Sequence, residues 1–240
     1  MKGTFYLKSN FFRGMSHGIP IALGYLSVSF GFGIKAVSVG LSVFSATAIS
    51  ATNLTSAGQA AGVDIIALGG TLIEMILVQL TINIRYSLMA LSLSQKLDGK
   101  FSLPHRLIAS YGITDEIFAV CSAQKQKLTP AYMYGIILIS AVGWVTGTAL
   151  GAAAGQLLPE SVSSALGIVL YGMFMAIIIP PARKQRNVLL VVVVSALASI
   201  LFRYVFTAVS SGFAVIISAV IASVTGALLF PVSDTEESEQ

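Results

Sequence analysis

Between residues 65 and 94 a long apolar run carries Glu74, Gln79, Thr81, Asn83, Arg85 and Tyr86. A charge at the centre of a bilayer costs about 2.5 to 3.5 kcal/mol on insertion scales, so Glu74 and Arg85 must be aimed at protein or water. At about 100° per residue, Glu74, Thr81 and Arg85 fall within about 40° of one another on a helix, and Gln79, Asn83 and Tyr86 within about 60° on another side. Two polar stripes predict a helix in the middle of a bundle, with groups in reach of a solute or of neighbouring helices. A second group is Tyr111-Gly112-Ile113-Thr114-Asp115-Glu116, where Gly112 can break a helix and Thr114 can cap a second half with two carboxylates in its first turn. Those carboxylates either cap only or await partners, because acids between Ile113 and Phe118 are costly when unpaired. A third is Ser56-Ala57-Gly58-Gln59, which reads as a capping box inside a segment, 41–62, that also holds Asn53 and is too polar for lipid. It is either the start of a half-helix whose free N–H groups receive an anion, or the cap of a surface hairpin.

The elements that hold these groups follow from composition. Hydrophobic residues make up 55% of the chain and charged residues 10%, with mean hydropathy +0.86, which excludes a water-soluble globular domain. Several stretches meet the roughly 20 apolar residues that a bilayer span needs. The expected fold is an all-α polytopic membrane helix bundle with broken or re-entrant segments. Residues 1–13 form a basic cytoplasmic N-terminus, retained as an anchor, 14–231 a membrane transport domain and 232–240 an acidic disordered tail. Net charge is +4, and Asp234, Glu236, Glu237 and Glu239 in the tail leave +8 for the rest, ordinary for membrane flanks. The basic residues lie singly, which argues against nucleic acid. Cys121 is the one cysteine, and His17 and His105 sit at segment edges without metal-ligand spacing, so neither a metal site, a cofactor nor an intramembrane enzyme is expected.

Gly143, Gly147, Gly151 and Gly155 are spaced by four on the helix that Thr129-Pro130 opens, a ridge for tight contact with a helix of this chain or of a partner subunit. Val43, Ser45, Ala46 and Ile49 match Val162, Ser164, Ala165 and Ile168, and Arg85-Tyr86 resembles Arg203-Tyr204, which gives a weak internal duplication. Two topologies stay open. Placing every basic loop inside makes 41–62 and 103–123 broken or re-entrant and leaves roughly six crossings. Letting 41–62 cross as its counterpart does sends the loop from Lys96 to Arg106 outside.

In order and spacing, Gly18-Ile-Pro-Ile-Ala-Leu-Gly-Tyr25, Thr55-Ser-Ala-Gly-Gln59, Asn83-Ile-Arg-Tyr86 with Leu88-Met89, and Thr114-Asp-Glu-x-Phe118 resemble the AzlC-type large subunits of bacterial branched-chain amino acid exporters. The resemblance is strong from about Gly14 to Val120 and diffuse beyond, and Thr55-Ser-Ala-Gly-Gln59 departs from the Phe-Ala-Gly-Ser-x-Gln version of many relatives. It implies a multi-pass permease of the bacterial inner membrane that exports hydrophobic amino acids with a small AzlD-like subunit.

Such a zwitterion needs an anion-binding element, a cation-binding element and an apolar pocket. The residues supply candidates: Ser56, Gln59 and Asn53 with Arg85 for the carboxylate, Asn83 and Tyr86 for orientation, and Glu74, Asp115 or Glu116 for the ammonium or a coupling proton. No phosphate-binding Gly-x-x-x-x-Gly-Lys-Ser/Thr loop occurs, so a secondary, proton-coupled cycle is the default. The competing readings are a static Glu74–Arg85 pair, a scaffold or regulatory subunit, and an exporter of another small zwitterion.

Overall fold

The computed structural model describes residues 2–157 and 178–231, with positions 159, 161, 172, 174 and 175 between them, and side chains from Asn10 onward. Described residues are helical with no strand beyond one isolated bridge, as expected for an all-α membrane bundle. The helices are α1 (Lys2–Ser38), α2 (Val43–Thr52), α3 (Ser56–Ala67), α4 (Leu72–Ser94), α5 (Leu103–Ser110), α6 (Asp115–Ser122), α7 (Pro130–Gly155), α8 (Arg186–Tyr204) and α9 (Ser211–Leu229). Five are long and apolar enough to cross a bilayer: α1 from Asn10, α4, α7, α8 and α9. The basic start is continuous with the first span, because α1 runs unbroken from Lys2. The acidic tail and the residues matched to Val43–Ile49 lie outside the described residues.

The chain forms two compact units: residues 1–63 with 82–170, and residues 64–81 with 171–240. In the first, α7 packs along α1, from Gly135 against Phe11 to Gly155 against Val37. The reason lies in glycine: a Cβ on Gly143, Gly147 or Gly151 would overlap the backbone of Ala22, Leu26 or Phe30, and one on Gly14 or Gly33 would overlap Tyr132 or Thr148. Small residues on both helices let the backbones touch. The ridge is thus occupied by α1 of the same chain, which leaves none of those glycines to a partner. The pairs ascend together from Gly14 with Tyr132 to Ile34 with Gly155, so the helices are parallel, and each α1 residue meets one about 120 positions later, the spacing of the sequence repeat. Arg203-Tyr204 does not reproduce its match, since it ends α8 with Tyr204 78% exposed while Arg85-Tyr86 lies mid-helix.

Helices α5 and α6 have eight residues each, about 12 Å, and neither can span alone. Their outer ends return to one place. The Lys96 ammonium, just after α4, donates to the carbonyls of Ser122, the last residue of α6, and Gln124, just beyond it. Asp98 N donates to Leu128 O at 3.0 Å and Leu128 N to Lys96 O at 2.8 Å. The pair is a re-entrant hairpin, so the Lys96–Arg106 loop and the Lys125–Lys127 loop share an end with Arg13, which bonds Gln124 and Gln126. The arrangement that sent the Lys96 loop to the opposite side is overturned by this pairing.

In the second unit α8 and α9 pack together, with Val191 against Gly226. Here Glu74 is buried: Oε1 accepts from Ser210 Oγ at 2.6 Å and from Gly212 N at 2.8 Å. The carboxylate supplies the cap that the Ser210 side chain does not give its own helix.

Candidate functional site

Both interruptions foreseen in the sequence exist. The first spans residues 53–55. Asn53 leaves α2 in extended conformation and its Oδ1 accepts from Thr55 N at 3.2 Å, a side-chain bond that replaces the helical one. Since α3 starts at Ser56, the cap position belongs to Thr55, one residue before the expected Ser56, and no capping box forms. Gln59 does not reach back. It is buried, its Nε2 donates to Ser50 Oγ at 3.1 Å and its Oε1 accepts from Trp144 Nε1 at 2.9 Å. Ser50 in turn shares a 2.7 Å hydrogen bond with Thr148 on α7. With both ends of its amide taken, Gln59 ties α2, α3 and α7 together and offers little to a solute.

The second interruption spans residues 111–114. Gly112 is required because a Cβ would drive into the Ile137 side chain. Thr114 caps α6, accepting from Ile117 N at 3.4 Å, as the sequence predicts. The two breaks adjoin, since Tyr111 OH donates to Ala51 O at 2.8 Å. Leu54 from the first break packs in the same cluster as Ile117, Tyr25 and Trp144.

Helices α1 and α4 close around the breaks. From α1, Tyr25 OH lies 2.6 Å from both Thr114 Oγ1 and Glu116 Oε2, with its ring edge-on to Trp144 at 5.2 Å. From α4, Asn83 Oδ1 accepts from Thr55 Oγ1. Arg85 Nη1 lies 2.7 Å from Asp115 Oδ2, while Nη2 donates to Tyr86 OH at 3.2 Å and the guanidinium sits 4.9 Å from the Tyr86 ring centre. Each carboxylate of α6 thus has a partner, as burial between Ile113 and Phe118 demands. The ion pair is still reachable, with Arg85 39% and Asp115 36% exposed.

Several expectations change. Arg85 pairs with Asp115 and Glu74 with Ser210 and Gly212, so there is no static Glu74–Arg85 pair. Along α4, Ile76, Leu80, Ile84, Leu88 and Leu91 are exposed apolar residues, whereas Asn83, Arg85 and Tyr86 are partly buried. Thr81 spends its hydroxyl on the Leu77 carbonyl, an ordinary mid-helix bond that the stripe pattern could not anticipate. Ser56, Asn53, Asn83, Arg85, Tyr86, Asp115 and Glu116 all lie at or beside the two breaks of the first unit, whereas Glu74 belongs to the second. Sequence reasoning missed Ser50, Trp144 and Thr148, and gave Tyr111 no role beyond its place in the second break. The lone tryptophan, in a glycine-lined helix, was the one available signal, since its indole N–H needs an acceptor when buried.

Comparison with known proteins places this arrangement in context. The description "AzlC protein" matches residues 20–158, which include both breaks, Arg85 and Trp144. An "Uncharacterized membrane protein" of Archaeoglobus fulgidus is 32% identical over 184 residues, covering 75% of this chain and 80% of its own. The "Inner membrane protein YgaZ" of Escherichia coli is 27% identical over 212 residues, covering 85% and 86%. No solved structure matches the chain.

Proposed function

The chain belongs to the AzlC protein family, and from that membership and the two facing helix breaks we propose that it is the large subunit of a secondary transporter exporting branched-chain or other hydrophobic amino acids across the bacterial inner membrane. The observation that carries the reading is the Arg85–Asp115 pair, held where two interrupted helices adjoin and left partly exposed inside an apolar bundle. Intramembrane ion pairs of this kind mark solute and proton paths.

In this reading the substrate carboxylate takes the place of Asp115 on Arg85, near the N-terminus of α3 at Ser56, and the ammonium is received by the released Asp115, with Glu116 close by. Asn83 and Tyr86 orient it, and Asn53 fixes the break. Without substrate, a proton on Asp115 allows the same separation from Arg85, which couples flux to a proton gradient. The end gathering Arg13, Lys96, Lys100, Arg106, Lys125 and Lys127 is cytoplasmic by the positive-inside rule. A small AzlD-like membrane subunit completes the transporter, and no catalysis is involved.

Reconstitution with and without that subunit, followed by leucine or valine counterflow, tests the proposal. The pair of subunits is expected to exchange substrate, and Arg85→Ala to abolish exchange at normal membrane yield. No flux from the wild-type pair, or undiminished flux from the variant, overturns the reading and favours a scaffold role.

A further inference from the structure

A cavity lies at the basic end of the first unit, three turns of α1, or about 18 Å, from Tyr25. Its volume is about 430 Å³, ample for a small amino acid, and its wall includes Asn10, Arg13, Asp98, Gln124, Gln126 and Lys127. Backbone pairing makes this wall firm. The Leu97–Leu128 bridge joins the two loops, the Lys96 ammonium ties down the end of α6, and Lys100 N donates to Asp98 Oδ1 at 3.0 Å.

Arg13 is the unusual member. Nη1 donates to Gln126 Oε1 at 2.8 Å and Nη2 to Gln124 Oε1 at 2.7 Å, while the guanidinium carbon lies 5.5 Å from the Tyr132 ring centre. Tyr132 is itself fixed by His17, 2.9 Å from its hydroxyl. Every one of these partners is neutral. Among the described residues no carboxylate neutralises Arg13, although two amides and a ring lock its orientation. A guanidinium held in that way is preorganised for an anion, and carboxylates are its geometric match. Asn10 adds an independent sign: it is only 9% exposed, and among the described residues its Nδ2 has no hydrogen-bond acceptor. A buried amide donor without an acceptor is uncommon unless something else supplies one. Lys127 adds positive charge to the wall and Asp98 a negative group.

We propose that this cavity is a binding site for a small α-amino acid, with its carboxylate against Arg13 and Asn10 and its ammonium against Asp98. The site lies away from the helix breaks and serves as a loading station at the cytoplasmic mouth. The identity of the ligand rests on the transport reading above, whereas the carboxylate preference rests on Arg13 and Asn10.

Equilibrium binding of leucine, leucinamide and 4-methylpentanoate to the purified full-length protein tests this, using Arg13→Gln, Asp98→Asn and Arg85→Gln, each checked for an unchanged melting temperature. Leucine binding that remains in Arg85→Gln, falls at least about tenfold when Arg13→Gln is added to that background, and is weakened without the carboxylate is the expected result. Asp98→Asn should weaken leucine but spare 4-methylpentanoate. Leucine binding lost in Arg85→Gln but unchanged in Arg13→Gln overturns the inference and leaves the transport reading intact. Arg13-dependent binding of 4-methylpentanoate without leucine binding overturns the amino-acid assignment here and the substrate reading above, while the carboxylate cavity stands. No binding by any form overturns the site. Should Arg13→Gln not fold, Arg13→Lys keeps the charge but loses the two-pronged contact with Gln124 and Gln126, and is expected to show the same loss.

Discussion

Glu74 and Arg85 look alike in the sequence, two charges in one apolar helix, yet they have different surroundings. Glu74 is enclosed by donors at the start of α9, so its acceptor atoms matter more than its charge. Glu74→Gln retains an amide oxygen for Ser210 and Gly212 and is expected to keep near-normal yield and flux. Glu74→Ala strands two donors and should lower stability by about 1–3 kcal/mol, read as a drop in melting temperature. If Glu74→Gln abolished flux at normal stability, Glu74 would instead be a proton carrier. The same reasoning applies to Trp144→Phe, which leaves the buried Gln59 Oε1 without its donor. It should destabilise the first unit by about 1–3 kcal/mol without changing which amino acids bind. Arg85 sits at the opposite extreme, partly exposed and facing one acid, where replacement is expected to cost flux rather than folding.

Among elements, the α1–α7 pair is the frame against which both breaks are set. Gly151→Ala places a methyl on the Phe30 backbone, and the parallel helices must separate. Overpacking of this sort costs about 1–3 kcal/mol, so membrane yield and melting temperature should fall. Gly24→Ala is the matched control, because nothing lies within 4 Å of its Cβ, and it should leave both unchanged. Equal tolerance of the two substitutions would mean that α1 and α7 do not meet through this ridge. Position within the helix, and not the residue type, separates these two glycines. The broken helices were legible because their signals are local: the polar run with Asn53 and Ser56 at one break, and Gly112 and Thr114 at the other, disturb or cap the backbone within a few residues. The cap at Thr55 instead of Ser56 was not, because either hydroxyl fits the local pattern and the bond of Thr55 to Asn83, 28 residues away, is not a local signal.

For the whole molecule, the re-entrant α5–α6 hairpin gathers the basic loops at one end of the first unit. Cys121 is buried and is the chain's single cysteine, so a Cys121→Ala background suits accessibility labelling. Gly99→Cys and Gln126→Cys should react with an impermeant maleimide from the same side of the membrane. Reaction from opposite sides would show that α5 and α6 cross it. Charge bias alone left two topologies standing, because a loop's basic residues say which side it prefers and nothing about which loops touch. Composition and hydropathy did determine that this chain is a helical membrane bundle, since apolar surface of that extent has no other solvent. Local punctuation determined that two of its helices are interrupted. Only the tertiary structure decided that Arg85 faces Asp115, that Glu74 caps a helix more than 130 residues away, and that Gln59 bonds Ser50 and Trp144. Those pairings depend on which faces of distant helices meet, and helical periodicity fixes a residue's angle on its own helix without naming the neighbour across from it.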